Sequence, residues 1–318
     1  MKTILVSGAS GIVGYGILKN LKNNIFNLIG TSIYTDSVAS KYCDLFIQSI
    51  LTTDKNYLNW LNQTIERYSI DLIIPGIEID LYFWNQNKSK INTKILLNNS
   101  DLINVCRDKW SFYQELECGT ILDYLNIPSM VSSDYDEVRG NLGSPFLLKP
   151  KRGFGSKGIR KIENESDFNK NLNRKNNFYQ KYVGNDDEEY TVGFFGDGNG
   201  KSLADIILKR KLSASGYTEQ AMVVTNKQDI TDIKKIIKDI AEYFEPVGPT
   251  NIQLRKDKDN FKLLEINPRI SSSTAIRTGF NYNECLMAVE FFLGGTLPTQ
   301  PKIKIGSCVR YVDECFNF

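Results

Sequence analysis

The sequence predicts an α/β protein that opens with a doubly wound, Rossmann-like domain and continues into two smaller α+β units. Three observations predict it. A short apolar run, Lys2 to Ser7, leads into Gly8-Ala9-Ser10-Gly11-Ile12-Val13-Gly14 and then a helical pattern through Leu21, in the order strand, glycine turn, helix. Strand-like and helix-like segments alternate to about residue 104, which implies a parallel sheet. A chain of 318 residues also exceeds what one small core organises, so two or three packed units are expected.

The elements follow in order. Leu28 to Ser32 reads as a second strand, Leu58 to Tyr68 as a helix, and Asp71 to Pro75 as a buried strand closed by Gly76. Lys88 to Asn104, rich in Asn, Lys and Ser, reads as a surface connection or a weak strand-loop passage that ends the first domain. Asp108 to Leu125 has a helical pattern, and Pro128 with Ser132 and Ser133 marks a turn. Phe146 to Pro150 is a strand stopped by proline, and it feeds a glycine-rich segment, Lys151 to Ile159. Strands are expected at Phe178 to Val183, Glu189 to Phe195 and Leu203 to Leu212, then an amphipathic helix over Ile230 to Phe244. Thr250 to Leu254 and Phe261 to Ile266 form a hairpin around Lys256-Asp257-Lys258-Asp259-Asn260, and a last helix spans Asn283 to Leu293.

Composition removes whole classes of chemistry. The chain has no histidine, which excludes Ser-His-Asp and Cys-His hydrolases and His-ligated zinc. The six cysteines include no C-x-x-C pair and read as reduced structural thiols. A net charge of +2, spread among mixed signs, gives no footprint for nucleic acid or an anionic membrane surface. No apolar run reaches the roughly 20 residues of a bilayer-spanning helix, so a cytoplasmic protein is expected.

Two further constellations carry more chemistry than the first glycine turn. Lys149 ends a strand and is followed by Arg152-Gly153-Phe154-Gly155-Ser156-Lys157-Gly158, a loop whose N–H groups can wrap phosphate oxygens while Lys149, Arg152 and Lys157 supply positive charge. On the hairpin, Asn251 and Gln253 share one face of the first strand, and Glu265 and Asn267 share one face of the second. Such an array of amide and carboxylate oxygens suits Mg²⁺, and Leu263, Leu264 and Ile266 mark Glu265 as a carboxylate in a largely buried strand that needs a partner.

Taken with Asp108-Lys109, Gln180-Lys181-Tyr182-Val183, Glu189-Tyr190-Thr191-Val192 and Leu264-Glu265-Ile266-Asn267-Pro268-Arg269, these segments resemble the ATP-grasp superfamily. The likeness is to its short ligases similar to half of a carbamoyl phosphate synthetase large subunit, among them the pyrrolysine-pathway ligase. The resemblance implies a pre-ATP-grasp Rossmann-like domain over 1–104, a small lid subdomain over 105–178 and a C-terminal subdomain with the metal site over 179–318.

It also implies ATP and Mg²⁺, with Mn²⁺ as a substitute, and an ATP-dependent carboxylate–amine ligase working through an acyl phosphate. Lys109 and Lys149 match the phosphate-holding lysines, and Arg152, Gly153, Gly155, Ser156 and Gly158 match the lid. Gln180, Lys181, Tyr182 and Val183 match the adenine hinge, where the family usually begins with Glu. Glu189 matches the ribose acid. Gln253, Glu265 and Asn267 match the metal ligands, the first being more often acidic, and Arg269 the catalytic arginine. A basic residue near the γ-phosphate falls among Lys209, Arg210 and Lys211, with Lys211 favoured.

Ser271, Ser272, Ser273, Thr274 and Arg277, with the loop Gly76 to Asp80, are expected to select small-molecule carboxylate and amine substrates, with a homodimer as the candidate assembly. Two alternatives stand beside this reading: an NAD(P)-dependent oxidoreductase or epimerase built on Gly8 to Gly14, and a non-catalytic ATP-binding protein. The first lacks a downstream Tyr-x-x-x-Lys pair; the one match, Tyr15 to Lys19, lies inside the first helix.

Overall fold

Alternation of β-branched and small residues with helical segments builds the first layer, as the computed structural model shows. It describes residues 1–22, 25–117, 119–153, 158–171, 176–214 and 216–315. Strands β1 (Lys2–Val6), β2 (Phe26–Ser32), β3 (Leu45–Gln48), β4 (Leu72–Ile74) and β5 (Lys94–Ile95) form an all-parallel sheet in the order β3-β2-β1-β4-β5. Helices α1 (Ile12–Leu21), α2 (Tyr57–Arg67) and α3 (Glu78–Asn87) connect them. The stretch expected as a surface connection or weak strand-loop passage holds the short β5 and, beyond that expectation, helix α4 (Ser100–Cys106). A two-residue strand has no alternation to read; α4 is announced only by Asn99, whose side chain accepts from the Asp101 and Leu102 amides.

Helix α5 (Lys109–Glu117) is shorter than the Asp108 to Leu125 expected. Asp108 caps it, accepting from Trp110 N and Ser111 N, and Gly119 follows at φ +70°, a left-handed conformation that stops a helix. The second sheet is antiparallel: β6 (Ser129–Met130), β7 (Phe146–Pro150), β8 (Arg160–Ile162) and β9 (Asn177–Lys181), in the order β6-β9-β7-β8. It packs on α6 (Tyr135–Leu142) and α7 (Glu165–Asn169) through Val138, Leu142, Phe146, Leu148, Phe168 and Tyr179. The expected division after residue 178 falls inside β9, because Phe146 pairs with Lys181 and keeps the whole strand in this sheet.

The third sheet contains β10 (Glu189–Asp197), β11 (Ser202–Leu212), β12 (Thr218–Val223), β13 (Val247–Asp257), β14 (Asn260–Asn267) and β15 (Ser307–Val309), in the order β14-β13-β10-β11-β12-β15. One face buries Tyr190, Val192, Phe194, Ile252, Leu254 and Ile266 with Ile233, Ile236, Ile237 and Ile240 of α8 (Lys227–Phe244). Helices α9 (Thr274–Gly279) and α10 (Glu284–Gly294) follow. Phe195, Ile270, Cys285, Ala288 and Val289 join Ile4, Val6, Ile17 and Leu18 in a single core, so the first and third units are fused. Asn98 reinforces the join, donating to Pro249 O and Thr250 Oγ1 and accepting from Val247 N.

Candidate active site

Period-two alternation places a row of polar side chains on the face of the third sheet opposite its apolar core. The pairing sets Glu189 beside both Arg210 and Arg255, Gln253 opposite Glu265, and Asn251 opposite Asn267. Glu265 is 29% exposed along its side chain and meets Lys109 Nζ at 2.7 Å. Burial raises the Glu265 carboxyl, but Lys109, with further help from Asn267 and Arg269, holds it below the usual carboxylate range. Burial pulls Lys109 the other way, and Glu265 more than offsets it, leaving the ammonium above its ordinary value.

The second sheet presents its own polar edge to the same space. Phe146 and Leu148 enter the local core, so Leu147 and Lys149 face outward; by the same alternation Tyr179 packs inside and Gln180 outside. Lys149 is 6% exposed. Its Nζ donates to Gln180 Oε1 at 2.5 Å and lies 5.8 Å from the Tyr113 ring centroid. Among the described residues no carboxylate is within ion-pair distance of it. Burial, with Lys109 nearby, pulls its ammonium down to about 7.

A cavity of 650 Å³ lies between the two sheets, lined by Lys149, Leu147, Tyr182, Glu189, Gln253, Leu264 and Glu265 among others. A second, of 320 Å³, lies between the first unit and the Glu265–Arg269 segment, with Glu78, Tyr82, Arg107 and Arg269 on its wall. Lys109, Gly153 and Glu265 line both. Arg269 crosses the boundary: Nη2 donates to Glu78 Oε1 at 2.8 Å and to Asn267 Oδ1 at 3.1 Å. Among the described residues no group of three or more Asp, Glu, Cys or His side chains is placed to hold a metal. A cation here would meet one carboxylate and amide oxygens, a hard donor set of the kind Mg²⁺ completes with phosphate oxygens.

The sequence-expected residues divide into several groups. Lys109, Lys149, Gln253, Glu265, Asn267 and Arg269 converge on the two cavities, and Gln180 holds Lys149. Exposed Arg152 pairs with Asp108 at 3.3 Å; Gly153 and Gly158 flank the loop, while Gly155 and Ser156 lie outside the described residues. On β11, Lys209 pairs with Glu188 at 2.5 Å and Arg210 with Glu189 at 2.6 Å, leaving exposed Lys211 on the larger cavity without a carboxylate partner among the described residues. Glu189 lines that cavity, yet Arg210 and Arg255 already donate to its oxygens; burial raises this carboxyl and the two guanidiniums, Arg210 foremost, bring it below its ordinary value. Lys181 is exposed, with its amide bonded to Pro128 O.

Other expectations are corrected. Val183, expected in the adenine hinge, keeps its side chain in the hydrophobic core, 5% exposed, so only its backbone could serve there, and the apolar side chains on the cavity are Leu147, Ile159 and Leu264. Arg277 is no substrate clamp. It is fully buried, bonded to Glu284 at 2.8 Å, to Asn251 Oδ1 at 2.5 Å and to Thr191 Oγ1 at 3.2 Å. Gly193 makes room for it, since a Cβ there would lie 2.6 Å from Arg277 Nη1. Ser271 and Ser273 are buried as well: Ser271 Oγ accepts from Ser273 N, and Ser273 Oγ pairs with Thr218 Oγ1. Half-buried Ser272 gives its carbonyl to Arg310. Thr274 is spent on Asn20 and Cys285. Asp80 is buried, accepting from Thr52 and Tyr57; Glu78, two residues earlier, lines the smaller cavity instead.

Residues missed from the sequence carried a usable signal: Arg255 shares a face with Gln253, and Leu147 with Lys149, by simple alternation. Tyr82 and Arg107 carried none, because only the folded first unit brings them to Arg269. The first glycine turn is closely packed. A Cβ on Gly14 would lie 2.4 Å from Gly8 O, and one on Gly76 would lie 2.1 Å from Ser7 O, so helix and strand approach backbone to backbone.

Two antiparallel sheets close on a cavity, with lysines from one and a carboxylate–amide row from the other, an arrangement suited to a polyphosphate and its cation. Residues 182–315 match the family described as ATP-grasp in the biosynthetic pathway with Ter operon. No curated protein sequence matches it. Among solved structures, N5-carboxyaminoimidazole synthetase from Staphylococcus aureus complexed with ADP is similar at 18% identity and TM-score 0.77, over 96% of this chain and 80% of that one. A biotin carboxylase–β,γ-ATP complex from Campylobacter jejuni is similar at 21% identity and TM-score 0.74, over 96% and 74%. The biotin carboxylase domain dimer of Hydrogenobacter thermophilus 2-oxoglutarate carboxylase, in complex with MgADP, ADP and bicarbonate, is similar at 16% identity and TM-score 0.72, over 96% and 73%. No helix among the described residues is long and apolar enough to cross a membrane.

Proposed function

We propose that the chain is an ATP-dependent carboxylate–amine ligase that makes an amide bond through an acyl phosphate and releases ADP and phosphate. The observation that carries this is Lys149, an ammonium 6% exposed, beside a 650 Å³ cavity, with a neutral amide where a counter-ion would be. Burying an unpaired charge is costly, and a polyphosphate in the cavity supplies the missing partner. The Glu265, Asn267 and Gln253 row suits Mg²⁺. When bound there with nucleotide, the ion would neutralise charge on the transferred phosphoryl group.

In this reading Lys109 leaves Glu265 to hold phosphate oxygens with Lys149, and Arg152 with the glycine-rich loop covers them. Leu147, Tyr182 and Leu264 give the base an apolar slot, and Gln180 fixes Lys149 in place. A substrate carboxylate oxygen attacks the γ-phosphorus in line; the bond to the β–γ bridging oxygen breaks, and ADP leaves with the electron pair. Arg269 and Lys211 oppose the charge that builds. The amine nitrogen then attacks the acyl carbon, the C–O bond to phosphate breaks, and the nitrogen gives up a proton.

Purified protein with ATP and Mg²⁺, screened against acids (amino acids and sugar acids among them) paired with amines, is expected to release ADP and phosphate together for at least one pair. The Glu265→Ala protein is expected to release neither. Equal release from both proteins would refute the assignment.

A further inference from the structure

The smaller cavity holds a cation that the ligase reading leaves idle. Four cationic side chains line it: Arg107, Lys109, Arg152 and Arg269. Three have carboxylate partners, Lys109 with Glu265, Arg152 with Asp108, and Arg269 with Glu78. Arg107 has none within ion-pair distance among the described residues. Its contact is instead with Tyr82, whose ring centroid lies 5.1 Å from the guanidinium carbon. A guanidinium held against an aromatic ring leaves its N–H fork available for a planar anion.

Position assigns that anion to a particular part of a substrate. Lys109, Gly153 and Glu265 form the wall shared with the larger cavity, where the nucleotide's phosphates belong in the ligase reading. Arg107 lines only the smaller cavity. An acid whose reacting carboxylate faces the shared wall therefore has room for a second group toward Arg107. The space, 320 Å³, is at the lower end of the roughly 300–1,000 Å³ of ligand pockets and suits a small metabolite.

We infer that Arg107, steadied by Tyr82, binds a second anionic group of the acid substrate, so the protein activates small acids that carry a carboxylate or phosphate besides the carboxylate that reacts. This rests on the ligase reading. The test is initial rates of ADP release, with amine in excess, for matched monocarboxylates, dicarboxylates and phosphorylated acids, using the parent, Arg107→Gln and Arg107→Lys proteins. The parent is expected to favour dianionic acids in kcat/KM, the dicarboxylate and phosphorylated arms telling which anion is preferred. Arg107→Gln is expected to raise KM for the favoured acid roughly 10- to 100-fold, the range of a charge-assisted hydrogen bond, with a much smaller effect on kcat and partial rescue in Arg107→Lys. Turnover that prefers monocarboxylates, or an unchanged KM in Arg107→Gln, overturns the inference and leaves the ligase reading standing. Failure of every acid to elicit ADP release overturns both.

Discussion

Lys149 is nearly excluded from solvent and leans on the carbonyl of Gln180, while Gln180 Nε2 passes the chain of hydrogen bonds to Ser129 Oγ at 2.9 Å. A glutamate at position 180 would supply a counter-charge to the ammonium; glutamine supplies none. Its proton is held to about pH 7, whereas in the unfolded chain a lysine keeps its proton to about pH 10.4. Between those values the unfolded state binds more protons, so this residue makes folding more favourable as pH rises across that window. Anion binding has the opposite slope, because only charged Lys149 attracts phosphate: ADP affinity is expected to fall as pH rises above about 7. Calorimetric affinities from pH 6 to 9 check this in the parent against Lys149→Gln, whose profile is expected to lack that component; parallel profiles would count against it. Lys149 and Glu265 were legible from their motifs. The partners they keep were not, since Lys109 and Glu265 are 156 positions apart and meet only through the fold.

At the level of elements, alternation within strands sorted most of the site. Gln253, Glu265 and Asn267 fell on the face the spacing required, and Val247–Asp257 with Asn260–Asn267 formed the expected hairpin. Helix α9 behaved differently. Serines and an arginine after a metal-like motif resemble a substrate loop, yet Arg277 is packed between the third sheet and α10, and Thr274 between α1 and α10, and nothing in the local pattern distinguishes a buried arginine from an exposed one until Glu284 is brought beside it. The Arg277–Glu284 pair is fully buried, and removing one member strands the other charge. Arg277→Ala is therefore expected to lose about 3–5 kcal/mol of stability, measured by urea unfolding. An unaltered unfolding midpoint with a raised substrate KM would instead return Arg277 to the binding site.

The whole molecule is two bodies around a cleft. The parallel sheet and the large antiparallel sheet share a core through α1 and α10, which fixes Glu78 against Arg269. The small sheet has a core of its own, drawn from residues 130–179, and brings Lys149 to the cleft from the other side. The doubly wound domain was readable from its glycine turn and alternation, although β3, β5 and α3 were too short or too weakly patterned to see. The account stands on nucleotide and divalent cation meeting between Lys149 and Glu265. ATP affinity measured by calorimetry with and without Mg²⁺ tests it most directly. In the parent protein Mg²⁺ is expected to tighten ATP binding at least about tenfold, a difference of about 1.4 kcal/mol, and in Glu265→Gln that gain is expected to vanish. An equal gain from Mg²⁺ in both proteins would contradict the account.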